Sequence, residues 1–199
     1  MIRTYAIWVA VIATLTVPLV AAASSPLLAW RDPIYIVAGF AGVLSMGFLL
    51  LQPVLAGRYL PGLSPLTSRL CHRWVGVTLI LGILVHVGGL WFTSPPDVVD
   101  ALLFVSPTPF SGWGVVAMWA AFAAAIMGLC RQRLALRFKV WRLGHTGLAT
   151  VTIVGSVVHA MLIEGTMEIM TKTALCTLVL LASARTLAKL RVWDIRRRA

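Results

Sequence analysis

Six stretches of the chain stay apolar for about the 20 residues a helix needs to cross a hydrocarbon layer: 4–23, 34–55, 70–92, 112–130, 142–163 and 169–190. Between them the pattern breaks at turn-favouring clusters, namely Ser24-Ser25-Pro26, Pro61-Gly62-Leu63-Ser64-Pro65, Pro95-Pro96 and Pro107-Thr108-Pro109. The pattern predicts an all-α integral membrane protein, a six-helix transmembrane bundle forming one domain over residues 1–199. The first stretch also fits a cleavable signal peptide, since Arg3 precedes it and Ala21-Ala22-Ala23-Ser24 closes it. Its apolar run is longer than the ~7–15 residues usual for a signal core, which favours a retained helix.

Composition agrees with a membrane setting. The 199 residues are 60% hydrophobic and only 12% charged, whereas soluble domains carry roughly 25% charge. A net charge of +11 raises the question of nucleic acid, but the basic residues follow topology and gather into no aromatic-studded patch. With both termini cytoplasmic, all but Arg31 and Lys172 of the 17 Lys and Arg residues fall on the inner side. Asp32, Asp97, Asp100, Glu164 and Glu168, five of the six acids, fall outside. The basic bias thus orients a multi-pass protein, lipid-surrounded, in a bacterial inner membrane, with no nucleic-acid partner.

Histidine supplies the chemistry. The chain has four, in two pairs of equal spacing, His72 with His86 and His145 with His159, each pair inside one apolar stretch. Fourteen residues at about 100° and 1.5 Å each fall some 40° short of four turns and rise ~21 Å, so both members of a pair share one helix face. The third and fifth stretches run in the same direction. His72 and His145 are therefore expected together at the cytoplasmic edge, and His86 and His159 at the opposite edge. Two imidazoles facing each other suit the axial positions of a six-coordinate haem built for electron transfer. Zinc or copper fits less well, because each level offers two histidines with no adjacent carboxylate. Both pairs sit in the same His-x13-His frame, although Arg73-Trp74-Val75-Gly76 is not repeated after His145.

Other residues extend this expectation. Four positions from each histidine, on its face and towards the membrane centre, stand Gly76, Gly82, Ala149 and Gly155, small residues that would leave room for a porphyrin or mark close helix packing. Midway between the levels come Leu79 and Thr152. Arg69, Arg73 and Arg142 lie near the inner pair, within reach of haem propionates, and serve equally as positive-inside anchors. At the outer level Lys172 is the one basic residue expected to partner the propionates. Cys71, Cys130 and Cys176 are not placed for an outer disulfide, and the missing Cys-x-x-Cys-His motif leaves two non-covalent, b-type haems.

His72-Arg73 with His86, and Trp141-Arg142-Leu143-Gly144-His145 with His159, resemble the ferric reductase-like transmembrane domain shared by ferric reductases and NADPH oxidases. The similarity spans about residues 34–190. It implies a six-helix bundle whose four histidines ligate two haems and whose electrons move outward. Those reductases continue into flavin and NAD(P)H domains. This chain ends shortly after the sixth stretch at Arg196-Arg197-Arg198-Ala199 and has no Gly-x-Gly-x-x-Gly fingerprint, so no flavin is expected in it. The implied donor is a separate cytoplasmic flavin/NAD(P)H reductase or membrane quinol, meeting the basic run of Arg131, Arg133, Arg137 and Lys139, and the acceptor lies outside. The chain is then the electron-transfer part of an oxidoreductase, with no catalytic side chain of its own. Three other roles remain open: the haem-bearing membrane subunit of a periplasmic methionine sulfoxide reductase, a haem-binding transport protein, and a purely structural anchor.

Overall fold

The computed structural model describes residues 2–165 and 167–190. Every regular element among them is helical: α1 (Ile2–Ala23), a 3-10 turn (Pro26–Leu28), α2 (Pro33–Ala56), α3 (Pro65–Thr93), α4 (Pro95–Leu102), α5 (Ser111–Leu129), α6 (Phe138–Leu162) and α7 (Ile169–Leu190). All the α-helices but α4 are long and apolar enough to cross a membrane. The Arg196-Arg197-Arg198-Ala199 tail lies outside the described residues.

The six expected spans are present; α6 begins four residues before the expected 142, and two differences have a local cause. α3 begins five residues before the expected 70, because Ser64 caps it by accepting from the Thr67 amide at 3.1 Å and Pro65 occupies the first turn. Proline is suited to that position, where its missing N–H has no helical partner to lose. Pro61-Gly62-Leu63-Ser64-Pro65 is therefore a start signal as well as a break. Pro95-Pro96 likewise opens the short α4, whose Val98 is buried, where only a breaker was expected.

Two antiparallel hairpins dominate the packing. α2 lies against α3 and α5 against α6, while α7 closes the bundle by touching α2 and α6, and α1 packs on α2 and α7. A buried cluster of Leu49, Leu50, Leu79, Ile153, Val157, Leu175, Cys176 and Val179 joins α2, α3, α6 and α7. The last turn of α2 exposes carbonyls that a helix cannot satisfy alone. Ser68 donates to Leu55 O at 2.8 Å, Thr186 to Pro53 O at 2.9 Å and Lys189 Nζ to Gly57 O at 2.6 Å. These bonds tie α3 and α7 to that end. Exposed Leu, Val and Trp side chains on α3 and α6 form the outer surface, as lipid-facing positions should.

Candidate functional site

The spacing arithmetic is realised in space. The ring centres of His72 and His145 are 6.5 Å apart with planes at 67°, and those of His86 and His159 are 6.4 Å apart with planes at 80°. α3 supplies one member of each pair and α6 the other. Between the two levels, Leu79 and Thr152 are both buried.

Each imidazole is aimed by a backbone carbonyl of its own hairpin. Nδ1 of His72 bonds Gln52 O at 3.2 Å and Nδ1 of His86 bonds Ala38 O at 2.8 Å. Nδ1 of His145 bonds Ala124 O at 3.1 Å and Nδ1 of His159 bonds Phe110 O at 2.8 Å. A carbonyl only accepts, so Nδ1 carries the proton and donates in all four. Nε2 is left with its lone pair free to bind a metal. An N–H fixed on a carbonyl is the usual outer support of a metal-binding imidazole, setting both tautomer and orientation.

Sequence reasoning missed these carbonyls. They obey the register of two antiparallel helices: 38 and 52 on α2 meet 86 and 72 on α3, and 110 (just before α5) and 124 meet 159 and 145 on α6. Four residues beyond each carbonyl stands Gly42, Ala56, Gly114 or Gly128. At two of them, Gly114 and Gly42, the reason for small size is visible, and at Gly128 a methyl would make only ordinary contact. A Cβ on Gly114 would lie 2.6 Å from His159 Nδ1, one on Gly42 3.0 Å from His86 Nδ1, and one on Gly128 3.8 Å from His145 Cε1. The imidazoles lie over these positions. A fourteen-residue spacing of Gly42 with Ala56 and Gly114 with Gly128 was the sequence signal.

Two of the small residues expected beside a porphyrin face elsewhere. A Cβ on Gly82 would meet Ser45 Oγ of α2 and one on Gly155 would meet Ala117 Cβ and Trp113 O of α5. Their smallness lets α3 approach α2 and α6 approach α5, which corrects the slot assignment for both. Gly76 lies by α2 as well, its Cβ position 3.6 Å from Gln52 Nε2, and Ala149 is partly buried on α6. Arg69 and Arg73 are exposed beside His72, whereas Arg142 is partly buried with its guanidinium carbon 5.8 Å from the Phe138 ring centre. Lys172 is buried and donates to Ile163 O at 2.7 Å, near the His159 end of α6.

The donor set indicates what fits. An imidazole nitrogen binds a transition metal at about 2.0–2.1 Å and lies roughly 1.15 Å from its ring centre, so two imidazoles on opposite sides of one metal have ring centres about 6.4 Å apart. The observed 6.5 and 6.4 Å match. Among the described residues, no three His, Cys, Asp or Glu side chains come together. A metal held here by two trans imidazoles needs its remaining ligands from the cofactor, as a porphyrin provides.

No curated protein and no solved structure matches the chain. The model of the family described as "Ferric reductase like transmembrane component" matches residues 38–156, from the carbonyl residue of His86 to three residues short of His159. Domains of this kind generally bind haem and work with cytoplasmic flavin/NAD(P)H reductase partners. Paired imidazoles at metal-bridging distance and a family match over more than half the chain lead to one assignment: this protein belongs to the ferric reductase-like transmembrane family.

Proposed function

We propose that this chain is a di-haem b-type cytochrome that carries electrons across a bacterial inner membrane, from the His72/His145 level to the His86/His159 level. What carries the reading is the pairing of four imidazoles at 6.4–6.5 Å between ring centres, each bonded through Nδ1 to a carbonyl so that Nε2 keeps its lone pair. Haem, when bound, supplies a one-electron iron couple at each level. The protein's part is to hold the axial imidazoles, keep water out and fix the separation. Buried Leu79 and Thr152 occupy the middle of the bundle, and the levels are ~21 Å apart along the helices.

Orientation follows the basic residues, which put the His72/His145 level and both termini on the cytoplasmic side. Arg131, Arg133, Arg137 and Lys139 are exposed around the start of α6, at that same end. They form a face that attracts an acidic flavin/NAD(P)H reductase, with membrane quinol as the competing donor. Arg69, Arg73 and Arg142 stand where the propionates of the inner haem would reach water, and Lys172 is the cation at the outer end. The acceptor lies outside the membrane.

The test is residue-specific. Purified protein should hold two low-spin haems. His72→Ala and His145→Ala should each remove one, and His86→Ala and His159→Ala the other, as read from optical redox titration. One haem per fully loaded chain, or full haem in all four variants, would refute the two-level reading.

A further inference from the structure

His145 is held differently from the other three histidines. One turn before it on α6 stands Trp141, whose indole lies parallel to the imidazole, with ring centres 5.3 Å apart and planes 7° apart. The equivalent positions before His72, His86 and His159 are Ser68, Gly82 and Gly155, none of which has a ring. His159 meets an aromatic group only at an angle, with Phe110 at 5.8 Å and 70°.

Trp141 is itself fixed. Its Nε1–H donates to Met127 O at 2.9 Å, Phe138 stacks on it at 6.1 Å and 24°, and the Arg131 guanidinium carbon lies 4.6 Å from its ring centre. α5 and the segment after it therefore hold the indole, and the indole lies along the imidazole. The bond from Nδ1 of His145 to Ala124 O sets where Nε2 points, but one hydrogen bond leaves the ring free to swing about the line of that bond. A flat neighbour at stacking distance removes this freedom, because a tilt either drives the rings together or forfeits their contact.

We propose that Trp141 is a positioning residue that locks the plane of the His145 imidazole and thereby sets the electronic character of the haem at the His72/His145 level, independently of the other level. The proposal rests on the two-haem reading above. The angle between two axial imidazole planes governs how the iron d orbitals split, and hence the low-spin EPR lines, and it contributes to the reduction potential alongside other protein levers around the iron. At this level the stack holds the planes at 67°, while the other level, without a stack, stands at 80°. Arg131 adds a positive charge beside the indole that favours the reduced iron. It is exposed, so that contribution weakens with salt.

The experiment compares wild type, Trp141→Leu and Trp141→Phe by haem content, EPR of the oxidised protein and redox titration. Trp141→Leu should keep both haems while one low-spin signal and one midpoint move and the others stay. Trp141→Phe retains a flat ring and should return the shifted signal towards wild type. Trp141→Met, which fills space without a flat face, replaces Trp141→Leu if that variant does not accumulate. Unchanged signals in the Leu or Met variant, or equal shifts at both haems, would overturn the positioning role. Wild type that takes up fewer than two haems would instead overturn the two-haem reading beneath it.

Discussion

Three glycines under the histidines give a graded test of how the site is aimed. Replacing each by alanine adds the same methyl at three clearances: 2.6 Å from His159 Nδ1 at Gly114, 3.0 Å from His86 Nδ1 at Gly42, and 3.8 Å from His145 Cε1 at Gly128. In a helix interior the change alone is favourable by about 0.5–1 kcal/mol. At Gly128 the new contact is ordinary van der Waals packing, so that gain should survive. At Gly114 the methyl and the imidazole cannot both keep their places. Overpacking of this kind costs about 1–3 kcal/mol, and moving the ring breaks the 2.8 Å bond from Nδ1 to Phe110 O. Loss of such outer support typically weakens a metal site by about 10–100-fold. Haem transfer to excess apomyoglobin measures this directly. Gly114→Ala should release one haem roughly 10–100 times faster than wild type, Gly42→Ala should fall between, and Gly128→Ala should match wild type. Equal release from Gly114→Ala and Gly128→Ala would show that the carbonyl-anchored rings do not govern binding.

Other expectations follow from the same geometry. Gly82→Leu and Gly155→Leu should lower the thermal midpoint of the whole bundle and deplete both haems together, because each side chain would push a hairpin apart; selective loss of one haem with unchanged melting would contradict this. Glu168 accepts from the Thr171 and Met170 amides at 2.8 and 2.7 Å, and these bonds, Thr171 first, hold its carboxyl below the usual range. Its stabilisation of the start of α7 is therefore full above the ordinary carboxylate pKa and lost as pH falls through the lowered folded value. Hydrogen-exchange protection factors at Met170 and Thr171, taken relative to the intrinsic rate at each pH, should fall in acid, and Glu168→Gln should abolish that pH dependence. Neutralising Arg133, Arg137 and Lys139 together should slow haem reduction by a soluble flavoprotein at low ionic strength and leave reduction by dithionite unchanged; an unchanged flavoprotein rate would point to quinol.

The spans and the histidine levels were legible in the sequence because both depend on one helix at a time. Hydropathy gives a length, and a spacing of fourteen gives a face and a rise. Features that depend on a second helix were not. Gly82 and Gly155 share a face with their histidines by arithmetic, yet a face is broad enough to meet two neighbours, and theirs is the partner helix of the hairpin rather than the opposing histidine helix. Likewise the acceptors Ala38, Gln52, Phe110 and Ala124 act through backbone oxygen, which leaves no mark on residue type. Their trace is indirect, in Gly42, Gly114 and Gly128, and it becomes readable only once the antiparallel register is known. Ser64-Pro65 and Pro95-Pro96 misled for a local reason: proline ends one helix and begins the next with equal ease.

The register of the two hairpins bears on how the protein is made. The carbonyls that anchor His72 and His86 lie on α2, and those that anchor His145 and His159 lie on α5 and the residue before it. The first hairpin therefore carries its own aiming carbonyls and needs none from the second, which is synthesised after it. Helix pairs that insert as units need only slide together in the lipid, as clasp halves do. α3 and α6 touch each other far less than each touches its hairpin partner, so on the two-haem reading a bound haem would add a direct link between the halves that α7 otherwise joins.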